Sequence, residues 1–134
     1  MPDIHTIVIH CSDTPNGRAD TAEDIHRWHK QDNGWSGIGY HYVIEVGGDV
    51  VPGRPPFWQG AHVAGHNEGT LGICLIGRDE FDEGQMRSLE GLILKLREQY
   101  PGAQFKGHYE LDPSKTCPNF DAAGYAAEVL EGRF

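Results

Sequence analysis

Two apolar, β-branched runs do most to limit what this chain can fold into. Ile4 to Ile9, IHTIVI, and Leu71 to Ile76, LGICLI, read as buried strands. Helical segments fall between and after them. Thr21 opens the first, with Asp24 three residues on as a capping signal and Ile25, Trp28 and His29 at helical spacing. Asn33-Gly34 stops it. A strand follows over Tyr40 to Val46, and Gly47-Gly48 turns it into Asp49 to Pro52 as a hairpin. Pro52, Pro55 and Pro56 mark a loop, and a stretch rich in Gly and His runs from Gly60 to Gly69. The best helix spans Glu83 to Tyr100, with Asp82 and Gln85 as a capping box and Met86, Leu89, Ile93, Leu96 and Tyr100 on its apolar face. Gln104 to Gly107 reads as a short strand, His108 to Cys117 as a loop. A last helix starts near Asp121. Short interleaved strands and helices imply an α/β (or α+β) fold with one central mixed β-sheet and about three flanking helices.

At 134 residues the chain is expected to form a single domain, 1–134. The formal charge of −9 is spread over both halves, and there is no basic block. That argues against nucleic acid as a partner. No apolar run approaches the ~18 residues of a membrane span, so no membrane insertion is expected. Met1 to His5 shows no secretory signal. Three cysteines, with no CxxC pair, make a poor disulfide framework and exclude zinc fingers.

The eight histidines have to be placed one by one. His10 ends the first strand, and His108 ends the last short one. Cys117 lies nine residues beyond His108, with Lys115 two residues before it. Neighbouring parallel strands would bring such ends together at the carboxyl edge of a sheet, where ligands favour binding. Two imidazoles and a thiolate make a sound zinc set that leaves the fourth position open. The other reading is bland: a histidine at a strand end is usually structural, and a buried cysteine is usually a small hydrophobe. Spacing alone leaves both open. Cys74 is expected in the core, and Cys11 on the strand face opposite His10. His5, His26 and His29 read as structural or surface residues, and His41 faces away from Tyr40. Trp35, Phe57 and Trp58 either stack on a ligand or pack, and packing is the expectation.

The segments IVIHCSDT, GIGYHYVI, HVAGHNEGTLGICLIG and KGHYELDPSKTCPNF resemble, in order, the signature blocks of zinc-dependent N-acetylmuramoyl-L-alanine amidases, the amidase-2 family. That family includes small phage endolysins and the peptidoglycan-recognition proteins. The resemblance covers about Ile4 to Phe120. It implies a central mixed sheet with helices on both sides. It further implies one catalytic Zn²⁺ held by His10, His108 and Cys117, with Tyr40 and Lys115 as catalytic residues. His62 and Asn67 would border the substrate groove and bind the peptide stem or the muramoyl group.

The function so implied is cleavage of the amide between N-acetylmuramic acid and L-alanine, as in an endolysin that causes host lysis. Peptidoglycan is the implied partner, and a monomer is expected. With no signal and no wall-binding domain, the protein is expected in the host cytoplasm until lysis, then in the periplasm against a thin wall. The rival readings are a non-catalytic peptidoglycan-binding module, a bacterial wall-recycling or toxin amidase, a cysteine hydrolase and a structural zinc domain. The presence of Cys117 counts against the first, since non-catalytic relatives typically lose that ligand.

Overall fold

A computed structural model describes residues 4–34 and 37–132. Trp35 lies outside the described residues. The elements are β1 Thr6–Cys11, α1 Ala22–Gln31, β2 Tyr42–Ile44, β3 Val50–Pro52, β4 Thr70–Leu75, α2 Glu83–Gln99, β5 Gln104–Gly107, α3 His108–Leu111 and α4 Ala122–Leu130. They build one five-stranded sheet in the order β3-β2-β4-β1-β5. The β2–β4, β4–β1 and β1–β5 pairs are parallel, and only the β2–β3 hairpin is antiparallel. The sheet is therefore mixed, as the sequence implies.

Both faces are covered, which is why β1 and β4 are buried at every position and mostly apolar. Ile7, Ile9, Leu71, Ile73 and Leu75 pack against α2 and α4. Val43 and Cys74 pack on the other side with Ala22 and Ile25 of α1. The caps foreseen in the sequence hold these helices in place. Thr21 and Asp24 close a capping box on α1, and Asp82 and Gln85 close one on α2. Gln85 is buried and donates to the carbonyls of Ile76 (2.8 Å) and Ile44 (3.4 Å), so the cap also ties α2 to the sheet.

Three differences from the sequence reading matter for the site. β1 runs on through His10 to Cys11, because Ser12 N–H still donates to Leu75 O at 2.9 Å. The regular strand β2 begins only at Tyr42, although Gly53 N–H to His41 O and Arg54 N–H to Tyr40 O continue the pairing backward at 2.8 and 2.9 Å. Tyr40 and His41 thus sit in a strap ahead of the strand. Finally, His108 opens a single helical turn where a loop was expected, giving four described helices instead of about three. Glu110 stabilises that turn by accepting from Gly107 N–H at 2.7 Å.

Candidate functional site

The register of β1 and β5 sets the centre of the site. Ile9 lies opposite Gly107, so the chain delivers His10 and His108 side by side at the carboxyl edge of two parallel strands. Their Nδ1 atoms are 3.0 Å apart. His10 is only 1 % exposed. Its other nitrogen, Nε2, lies 2.9 Å from Nδ1 of His62. His62 Nε2 in turn lies 3.1 Å from Oγ1 of Thr70.

The protons in this chain follow from its far end. The Thr70 hydroxyl faces two carbonyls, His66 O at 2.9 Å and Asn67 O at 3.0 Å, and a carbonyl only accepts. The hydroxyl proton is therefore used there. His62 must then donate from Nε2 to Thr70 and accept at Nδ1, and His10 donates from Nε2 to His62. The consequence is a bare Nδ1 on His10, turned toward His108. Burial keeps these rings neutral. It drives His10 well below the usual histidine range, with His62 and His108 adding to the effect. It pushes His62 down to about 3 and lowers His108 as well.

Two glycines leave room for this arrangement. A Cβ on Gly72, in the middle of β4, would lie 2.7 Å from the His62 ring. One on Gly60 would lie 2.6 Å from the same ring and 2.7 Å from that of His41. His41 is a buried structural residue. It accepts from Gly72 N–H at Nδ1 (3.0 Å), and its Nε2 donates to Trp58 O (2.8 Å).

Cys117 reaches the same end of the sheet from the α3–α4 loop, but its thiol faces Cys11. Its Sγ accepts from Cys11 N–H at 2.7 Å and lies 2.6 Å from Cys11 Sγ. The hydrogen bond with Cys11, then burial, holds the Cys117 thiol far above its ordinary range. Cys11 was expected away from the site. The longer β1 and the returning loop bring it in, a contact across 106 residues that no local pattern signals. Among the described residues, no three His, Cys, Asp or Glu side chains gather closely enough to hold an ion. Two donors meet; the third shares their neighbourhood and points at its own neighbour.

Tyr40 completes the wall. Its ring centroid is 5.2 Å from that of His10 and 5.6 Å from that of His29. Burial, then the thiols of Cys74 and Cys117, keep its phenol protonated well above the usual value. A cleft of about 490 Å³ is lined by His29, Tyr40, His62, Asn67, His108 and Lys115. A second hollow of about 400 Å³, shared by Tyr40, His108 and Lys115, is walled by Cys11 and Cys117. Lys115 is exposed at the junction of the two. Asn67 spends its side-chain oxygen on the loop itself, accepting from His62 N–H and Val63 N–H at 2.9 Å each.

The sequence profile of the N-acetylmuramoyl-L-alanine amidase family matches residues 1–120. The chain belongs to this family. The amidase is 37% identical over 123 residues to the endolysin of Escherichia phage T7, covering 86% of this chain and 80% of that one. It is 37% identical, with the same coverage, to the endolysin of Klebsiella phage KP32. Among solved structures it superimposes on the N-acetylmuramoyl-L-alanine amidase LysC from Clostridium intestinale URNW. That match has a TM-score of 0.84 at 30% identity, over 98% of this chain and 87% of the other. Drosophila peptidoglycan-recognition protein SD shares the fold, with a TM-score of 0.81.

Two features of the amidase site escaped the sequence reading. His29, taken as a structural or surface residue, stands on the cleft wall against Tyr40. His62, taken as a groove residue, lines the cleft but also grips His10. The signal for the second was present: Gly72 interrupts an otherwise bulky strand, and the side chain that fills the gap is His62.

Proposed function

We propose that the chain is a zinc-dependent N-acetylmuramoyl-L-alanine amidase, with His10, His108 and Cys117 as the residues that hold the metal. Family membership carries the coarser statement, that it is a peptidoglycan amidase of the endolysin type. The observation that carries the finer one is the pair of neutral imidazoles with Nδ1 atoms 3.0 Å apart, one stripped of its proton by the His62–Thr70 chain. Two neutral nitrogens and a thiol suit zinc in kind, and Cys117 would complete the set if its thiol left Cys11. The chemistry that zinc supplies when bound is Lewis acidity toward water and the scissile carbonyl.

The chain's own residues supply the rest. His62 holds the His10 ring and fixes its tautomer, as outer partners of metal-binding histidines do. Tyr40, whose protonated phenol is bonded to Cys74, lines the cleft and would supply a hydrogen-bond donor to the amide oxygen by turning its hydroxyl outward. Lys115 brings a cation to the same mouth and supports either that charge or the proton delivered to the leaving amine. Asn67 and His62 form the wall along which the muramoyl-peptide lies. A cysteine nucleophile is the poorer reading, because the thiols of Cys11 and Cys117 pair with each other and His10 pairs with His62 and His108, in place of the thiol–imidazole pair that such a nucleophile needs. Peptidoglycan is the substrate, reached after release at lysis as for the phage relatives.

The test is metal content against activity. Purified protein is expected to carry about one zinc per chain, to lose wall hydrolysis on chelation and to regain it with zinc. Full activity in metal-free protein contradicts the proposal.

A further inference from the structure

The cleft is not the only feature on its side of the sheet. Phe57 and Trp58 were expected to pack, yet they are 58 % and 56 % exposed. Together they make an edge-to-face pair with ring centroids 6.4 Å apart. Their loop is held from several sides. It enters through Pro55 and Pro56, and Trp58 N–H turns back to Pro55 O at 2.9 Å. Arg54 donates to Ile38 O and Gln59 O, each at 2.8 Å. Trp58 O accepts from His41 at 2.8 Å. Two large aromatic faces are thus kept in water by a rigid turn. An arrangement of that kind costs little further entropy when it meets a ligand.

Trp58 also forms one wall of a separate hollow of about 380 Å³, with Glu23, His26, Ile38 and Arg54 around it. This hollow adjoins the catalytic cleft. His26 lines the hollow and His29 the cleft, one turn apart on α1, about 5 Å along its axis. Ile38 and Tyr40, on the strap, face one each. The loop that carries Trp58 becomes, four residues on, the wall that carries His62. Between the two hollows lies a seam where Ile38 N–H donates to His26 Nδ1 (3.2 Å) and Gly39 N–H to His29 Nδ1 (2.9 Å), and a polymer that leaves the cleft over that seam reaches the aromatic pair.

We propose that Phe57 and Trp58 form a glycan platform, which binds a sugar of the peptidoglycan strand beyond the muramoyl unit being cut. The aromatic faces would stack on the apolar face of a pyranose ring, and Glu23 and Arg54 would offer polar contacts to its hydroxyl and N-acetyl groups. The inference rests on the peptidoglycan reading of the cleft. It adds that the enzyme grips the polysaccharide chain as well as the stem peptide, so that long strands are preferred over single muropeptides.

The experiment compares wild type with Phe57→Ala, Trp58→Ala and Trp58→Phe, each checked for zinc content and circular dichroism. Hydrolysis is measured on intact sacculi and on a soluble muramoyl-peptide with a single sugar. The platform predicts that kcat/KM on sacculi falls about tenfold in Trp58→Ala, mostly through KM, with substantial recovery in Trp58→Phe. The single-sugar substrate should be cut at the wild-type rate by every variant. Binding of peptide-free glycan strands, read by calorimetry, should weaken in parallel. Equal losses on both substrates overturn the proposal and make the loop a support for the cleft. Unchanged glycan binding overturns it too. So does binding to anionic phospholipid vesicles that Trp58→Ala abolishes while glycan binding persists, which makes the pair a membrane contact. If wild type cuts neither substrate, the amidase reading fails, and glycan binding alone then decides for or against the platform.

Discussion

The Nδ1 atoms of His10 and His108 lie 3.0 Å apart because Ile9 and Gly107, the residues before them, are register partners in parallel strands. The meeting of two side chains 98 residues apart is thus a property of the sheet and not of any loop. What the surrounding residues add is the state of the rings: neutral, and for His10 with the proton on the nitrogen that faces away from His108.

That orientation depends on the last link, Thr70. Thr70→Val keeps the shape of the side chain but removes the hydroxyl that receives the His62 proton. Zinc affinity, read by competition with a chromogenic chelator, should fall about 10–100-fold, as when outer partners of metal-binding histidines are removed. The metal-free protein should also unfold at a lower temperature, since the His66 and Asn67 carbonyls lose a buried donor, so affinity is measured where both proteins are fully folded. Unaltered affinity would show that the His10 tautomer is set some other way.

The two cysteines should separate cleanly. Cys117→Ser is expected to lose zinc and wall hydrolysis together, since a hydroxyl is a much poorer ligand than a thiolate. Cys11→Ala should keep both, at a cost in stability, because its buried thiol packs against Cys117. Metal analysis of the two purified variants checks this, and the reverse pattern sinks the ligand assignment.

Lys115 and Tyr40 should affect turnover and leave the metal alone. Lys115→Ala or Tyr40→Phe is expected to retain about one zinc and to bind sacculi, with kcat lowered ~10²-fold or more, as on removing an oxyanion donor. Both can be followed by dye release from labelled walls. Zinc loss in either variant reassigns that residue to the metal site.

Acid should destabilise the metal-free fold through its buried histidines. In the unfolded chain His62 takes up a proton near its ordinary value of 6.5, but in the fold only at about 3. Between those values the unfolded state binds more protons, so stability is present above about pH 6.5 and is lost as the pH falls toward 3. His10 and His41 act in the same direction. Replacing one such group, in His62→Gln, should reduce the slope of unfolding free energy against pH in that window by up to about 1.4 kcal/mol per unit. Urea titrations from pH 7 to 4 check it, and an unchanged slope contradicts the buried neutral His62.

Much of the fold was legible because its determinants are local. The β1 and β4 runs are apolar on both faces, and the Thr21–Asp24 and Asp82–Gln85 boxes mark where α1 and α2 begin. Strand ends named His10 and His108, but register was not readable, since nothing near Ile9 says that Gly107 sits opposite. The approach of Cys11 to Cys117 was misjudged for the same reason: alternation along a strand gives a face and says nothing of a loop that folds over the strand's end. Phe57 and Trp58 failed differently. Composition marks them as core residues, and only the rigid Pro-rich turn that carries them explains why they stay outside.

The central claim concerns one bond, and mass spectrometry of the products reads it directly. Purified sacculi digested with the zinc-loaded protein should yield stem peptides that begin with a free L-alanine amino group. The glycan strands should carry unsubstituted lactyl carboxyls, and no new reducing ends should form. Reducing ends without free alanine, or cleavage within the stem peptide, would contradict the account.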